Sequence, residues 1–161
     1  MKHLIPLLLC LLMLIPAAMA EEDCSLYIQA IPDLAEDFAL GMDVSSVLSL
    51  EAAGVKYYDH DGNERDLFAI LAENGVNYIR VRVWNDPFDA QGNGYGGGNC
   101  DINTAVEIGK RATANGMKLL VDFHYSDFWA DPGKQMVPKA WKGKRTSAKV
   151  KLLKEYTLDS L

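Results

Sequence analysis

Three stretches of this sequence carry side chains that could act on a substrate. In Gly41-Met42-Asp43-Val44-Ser45, Tyr78-Ile79-Arg80-Val81-Arg82-Val83-Trp84 and Leu119-Leu120-Val121-Asp122-Phe123-His124, polar residues recur at every second position toward the C-terminal end. That is the period of a strand, so Asp43 and Ser45 share a face, as do Arg80, Arg82 and Trp84, and Asp122 and His124. Charges on a buried sheet need partners, and Asp43 and Asp122 flanking a strand that carries Arg80 and Arg82 supply them. A polar cluster at the C-terminal ends of parallel strands is where α/β enzymes hold their sites. A network of ion pairs that only sets strand register would look the same, and both readings are open at this level.

Two loops follow the same strand ends. Tyr125-Ser126-Asp127-Phe128-Trp129-Ala130-Asp131-Pro132, with Trp141 beyond it, crowds aromatic rings beside carboxylates. That composition suits stacking on the apolar face of a sugar ring while polar neighbours bond its hydroxyls; rings that simply pack the loop down are the other reading. The loop from Asn85 to Asn99 contains Gly92, Gly94 and Gly97, the spacing of a dinucleotide fingerprint. A phosphate cradle needs its first glycine directly after the strand, which disfavours nucleotide binding here. Asp59, Asp61, Gly62 and Asn63 resemble part of a calcium loop but lack its later ligands, and His124 with Asp127 and Asp131 has no second histidine at zinc spacing. No metal and no cofactor is assigned. The glutamates also matter: Glu73, Glu107 and Glu155 fall on helical patterns, and none ends a strand.

The elements that must position these residues alternate. Strands are predicted at about 39–45, 77–84 and 118–124. Helices are predicted at about 65–74, closed by Gly75, at 102–115, capped by Asp101 and closed by Gly116, and from near Ser147 with Val150, Leu153, Tyr156 and Leu161 on helical spacing. Strand–helix alternation means parallel pairing with right-handed crossovers, hence an α/β fold that is either an open sheet or a barrel. The composition, 49% apolar and 24% charged, is that of a globular protein with an ordinary core. A formal net charge of -6 cannot supply the positive field a polyanion needs, so nucleic acid is not expected as a partner.

Residues 1–20 read as a secretory signal peptide: Lys2 and His3 precede an apolar run from Leu4 to Ile15, followed by Pro16 and Ala17-Ala18-Met19-Ala20. The run is shorter than the ~20 residues a membrane span needs, so no anchor is expected after cleavage, and the protein is expected to be extracellular. Residues 21–37 are then expected to form an N-terminal tail and 38–161 an α/β domain, which the resemblance described next implies is a partial catalytic domain. Cleavage removes Cys10 and leaves Cys24 and Cys100 in an oxidising compartment, where a disulfide between them is one option.

The motifs around these residues also carry a resemblance. Gly41-Met42-Asp43-Val44-Ser45-Ser46, Tyr78-Ile79-Arg80-Val81-Arg82-Val83-Trp84-Asn85-Asp86-Pro87, Gly109-Lys110-Arg111-Ala112, and Asp122 to Pro132 with Pro138-Lys139-Ala140-Trp141 resemble glycoside hydrolase family 53, the endo-β-1,4-galactanases. The resemblance implies a (β/α)8 TIM barrel that hydrolyses β-1,4-galactan of type I arabinogalactan with retention at the anomeric carbon. By the same resemblance, Arg80 supports the catalytic nucleophile and Trp129 stacks on a galactose unit. His124 and Asp127 line the site, and Asp43, Trp84 and Asn85 match motif positions nearby. A complete barrel takes typically ~250 residues, so this chain is expected to hold about three of its eight units. A retaining glycosidase needs two carboxyl groups ~5 Å apart. The resemblance places both glutamates beyond Leu161, so no catalytic residue is named and the chain alone is expected to be inactive. A truncated product that at most binds sugar is the alternative.

Overall fold

The structure, a computed structural model, describes residues 31–161. Residues 37–161 form one compact unit, and the signal-peptide reading and Cys24 lie outside the described residues.

Three parallel strands, β1 (Gly41–Asp43), β2 (Tyr78–Val83) and β3 (Lys118–Phe123), form a sheet in the order β1-β2-β3. Helix α1 (Val47–Ala52) follows β1 directly and precedes α2 (Leu67–Glu73). Helix α3 (Ile102–Ala114) joins β2 to β3, and α4 (Thr146–Ser160) follows a short 3-10 turn at Lys139–Trp141. The sequence does not announce α1, because six residues make fewer than two turns and leave no periodic stripe. The first strand is also shorter than predicted, although its ladder continues where the Val44 N–H donates to the Arg80 carbonyl at 3.2 Å.

The apolar face of the sheet makes the core. Ile79, Val81 and Val83 of β2 are fully buried against Phe68 and Leu71 of α2 and Ala105, Ile108 and Ala112 of α3. Helix α3 starts as its sequence predicts, at the Asp101 cap, whereas α2 starts two residues later than predicted, at a cap made by Asp66. The Asp66 carboxylate accepts from the Phe68 and Ala69 N–H groups, and the Asp101 carboxylate accepts from that of Thr104. Gly75 and Gly116, at φ of +86° and +76°, follow the helix ends in the left-handed conformation that favours glycine.

Helix α4 forms where the spacing predicts it. Its Val150 and Leu153, and Leu161 just past its end, are 63%, 40% and 83% exposed, and only Tyr156 packs on the core cluster. Val150 and Leu153 line an open groove with Met136, Val137 and Trp141, and Leu120 of β3 is 46% exposed.

Arg111 ties three helices together. It grips Glu51 of α1 in a bidentate pair at 2.7 and 2.8 Å, reaches the N-capping carboxylate of Asp66 at 2.5 Å, and lies 4.5 Å over the Phe68 ring. One guanidinium thus satisfies an ion pair, a cap and an aromatic face, which a lysine could not do. Arg111→Ala is expected to weaken the docking of α1 and α2 by ~2 kcal/mol. Amide exchange over Val47–Ala52 and Leu67–Glu73 should then accelerate about thirtyfold relative to β2. Unchanged exchange would show the clamp to be idle.

Candidate functional site

The register decides what shares a face. Asp43 pairs with Arg80, Arg80 with Leu120, and Arg82 with Asp122, so the polar residues of all three strands lie on the face opposite the helices. There they form a connected row. Arg80 donates to Asp43 at 2.5 Å from one nitrogen and to Asp122 from the other. Arg82 meets the same Asp43 carboxylate at 3.0 Å, and Ser45 donates its hydroxyl to it at 2.6 Å. Asp122 lies 3.5 Å from His124 Nε2. His124 Nδ1 accepts from the Trp84 indole N–H at 3.1 Å and from the Ala130 N–H at 3.2 Å, which assigns the ring proton to Nε2, facing Asp122.

Asp43 is the most heavily partnered carboxylate of the row. Partial burial works to raise its pKa, but the Ser45 hydroxyl and N–H and the Arg82 and Arg80 guanidinium groups outweigh it and hold the carboxyl below the usual range. A carboxyl whose folded pKa lies below its unfolded value, ~3.9, stabilises the fold fully above that value. The stabilisation disappears as the pH falls through the folded value. Unfolding followed from pH 6 down to pH 2 should therefore show a loss of stability below about pH 4 that Asp43→Asn reduces; an identical acid profile in the variant would remove Asp43 as its source.

The loops add an aromatic wall. Trp84 is fully buried and touches Phe128 and Trp129, with ring centroids 5.0 and 5.6 Å away. Trp129 is 41% exposed and sits 4.2 Å from the Arg82 guanidinium. Tyr125, at the turn out of β3, has φ +48°, unfavourable for a bulky residue. It is held there by a stack on Phe123 at 5.6 Å and a hydrogen bond to Thr157 at 3.0 Å. Backbone strain of this kind persists where surrounding structure enforces it, commonly at functional sites.

This arrangement combines an arginine held by two carboxylates with an open indole at strand C-terminal ends. It agrees with the comparison to known families, in which the model described as "Glycosyl hydrolase family 53" matches residues 39–161. The chain belongs to glycosyl hydrolase family 53. It is 57% identical over 136 residues to the endo-beta-1,4-galactanase of Bacillus subtilis (strain 168), which covers 84% of this chain and 32% of that protein. It is 44% identical over 121 residues to the arabinogalactan endo-beta-1,4-galactanase of Humicola insolens, covering 75% of this chain and 34% of the relative. The solved GH53 catalytic domain of Ignisphaera aggregans superposes with a TM-score of 0.82 at 48% identity, covering 84% of this chain and 38% of that one. The chain thus spans about a third of the length of the curated relatives it matches, and its three βα units fit an incomplete (β/α)8 barrel.

Within this family 53 chain the predicted residues take different positions. Asp43, Arg80 and His124 join the polar row, and Trp129 forms the exposed ring. Trp84 lies beneath that ring instead of facing solvent. Asn85 donates its N–H to the Ser126 carbonyl at 2.8 Å, while its buried Oδ1 has no hydrogen-bond partner among the described residues. Asp127 was predicted as a site-wall carboxylate, yet its two oxygens accept from the backbone N–H groups of Asp86 at 3.2 Å and Lys139 at 2.6 Å. It braces one loop against the other, because a carboxylate between two unpaired N–H groups is most stable when it accepts from both.

Lys139 reinforces that brace. Its ammonium donates to the carbonyls of Asp86 and Phe88 at 2.7 and 2.5 Å and pairs with the Asp86 carboxylate at 2.8 Å. Neither Lys139 nor Arg82 was predicted as a site residue, although both sit inside the quoted motifs.

Two glycines of the glycine-rich loop are required by close packing. A Cβ on Gly97 would lie 2.8 Å from the Trp84 ring, and one on Gly98 2.6 Å from the Ser45 carbonyl, so these glycines let the loop close onto β1 and β2. The N-terminus of α3 is already capped by Asp101. Gly92 instead belongs to a tight turn in which Asp89 accepts from the Gln91 and Asn93 N–H groups, and Asp59 repeats the same turn with Asp61 and Asn63. Among the described residues Cys100 has no disulfide partner; it is fully buried, and burial pushes its thiol pKa up to about 12.

Proposed function

We propose that this chain supplies the first strand–helix units of a secreted, retaining endo-β-1,4-galactanase acting on type I arabinogalactan. The observation that carries the reading is the exposed Trp129 beside the Asp43–Arg80–Asp122 row, at the C-terminal ends of parallel strands. An indole face stacks on the C–H face of a galactosyl ring, and the charged row lies where a substrate along the sheet would meet it. Arg80 holds and orients the carboxylate nucleophile, keeping it ionised for attack at the anomeric carbon. His124, its Nε2 proton aimed at Asp122, keeps that flank of the row fixed. Asp127 and Asn85 hold the loops that carry the aromatic wall.

Both catalytic glutamates lie outside these residues in this reading, and residues 1–20 direct export. The names borne by the Bacillus and Humicola relatives support the substrate class. The test is an enzyme in which residues 39–161 replace the matching segment of the Bacillus subtilis relative, hereafter the complemented enzyme. It should release reducing sugar from β-1,4-galactan, with the β-anomer appearing first by proton NMR, while the 161-residue chain alone releases none. A folded complemented enzyme that leaves galactan intact, or yields the inverted anomer, would sink the reading.

A further inference from the structure

We infer that Arg82 is a positioning residue for the sugar platform: its guanidinium fixes the orientation of Trp129 and dictates which indole face a galactosyl ring can use. The inference rests on the proposed reading of Trp129 as that platform and extends it to a residue in a different place, under the ring.

Trp129 is an indole 41% exposed on a loop, and a mobile ring binds sugar poorly because its orientation must be ordered on binding. Arg82 removes that freedom. Its guanidinium carbon lies 4.2 Å from the Trp129 ring centroid and 5.9 Å from that of Trp84. The Arg82 side chain is only 11% exposed and is itself held. Its Nε is 3.0 Å from Asp43 Oδ2 and 3.2 Å from Ser45 Oγ, and its backbone N–H donates to the same hydroxyl at 2.9 Å. Ser45 in turn donates to Asp43 at 2.6 Å. A continuous chain from Asp43 through Ser45 and Arg82 thereby carries the rigidity of the sheet to an indole on a loop. An edge contact from Trp84 at 5.6 Å and a tilted one from His124 at 5.7 Å complete the seat. With one face against the guanidinium, the opposite face is left for the sugar. Arg80 and Arg82 lie two positions apart on one strand face, yet one addresses the reacting centre and the other the platform.

A planar guanidinium is needed for this contact, and an ammonium at the end of a flexible stem does not reproduce it. In the complemented enzyme, Arg82→Lys and Arg82→Met should each raise KM on β-1,4-galactan by about three- to tenfold while kcat stays within about twofold. Both should reduce the near-UV circular dichroism of the tryptophans, with far-UV spectra unchanged. Arg82→Lys keeps the charge beside Asp43 and guards against loss of folding in the methionine variant. Trp129→Ala, measured alongside, separates the two ideas. If it raises KM while folded Arg82→Lys keeps both the native KM and the native near-UV spectrum, the positioning role of Arg82 is overturned and the platform stands. If Trp129→Ala leaves KM unchanged, the platform and the role built on it fall together.

Discussion

Arg80→Ala in the complemented enzyme is expected to lower kcat on β-1,4-galactan about a hundredfold while KM moves by less than about threefold. The size follows from what the residue does in the structure. Arg80 is 43% exposed at its side chain but held on both flanks, by Asp43 and by Asp122, so its guanidinium is preorganised before any substrate arrives. Its removal leaves Asp43 with Arg82 and Ser45, and Asp122 beside His124, so the sheet keeps its internal partners. In the proposed reading, what disappears is the positive charge that keeps a nucleophilic carboxylate ionised and pointed, an interaction that matters most as charge develops at the reacting carbon. Arg80→Lys should recover only part of the loss, because a single ammonium cannot serve two carboxylates in a fixed plane. Near-normal turnover in a variant with native circular dichroism would reduce Arg80 to a register-fixing ion pair.

Trp129→Ala should behave in the opposite way, raising KM about tenfold with kcat within about twofold. A stacking ring interacts with the sugar in the ground state and the transition state alike, so its loss weakens binding without changing the barrier from the bound complex. Folding should survive, since the ring is 41% exposed and the aromatic cluster beneath it is centred on the fully buried Trp84. Trp84→Ala would by contrast empty that centre and unseat His124, whose Nδ1 accepts the Trp84 indole proton. An unchanged KM in Trp129→Ala, measured on polymeric galactan and on galactotetraose, would return the ring to a packing role.

The strand and helix order was legible because it is a local property. Alternation marks β2 and the C-terminal end of β3, Asp101 caps its helix where the sequence places it, and Gly75 and Gly116 close helices within two residues of their predicted ends. The shared polar face was legible for the same reason, since a period of two allows no other placement once the strands pair in parallel. Helix α1 was not, because its six residues are too few to show a period. The apolar stripe of α4 was read correctly as a helix, yet periodicity says nothing about whether a partner covers it.

The sequence by itself determined the α/β class, the three parallel strands, the row of Asp43, Arg80, Asp122 and His124 and, through its motifs, the family. Tertiary structure alone decided how those side chains divide their work. Arg82 reaches Ser45 across 37 positions, and Lys139 reaches Asp86 across 53. Contacts that far apart depend on strand register and on how two loops fold over one end of the sheet, and no local pattern encodes either. That is why the bracing of two loops by Asp127 is not legible in its sequence, and why Trp84 and Trp129, alike as residues, lie one below the surface and one upon it. A side chain's type follows from its codon, but its partner follows from the packing of elements distant along the chain.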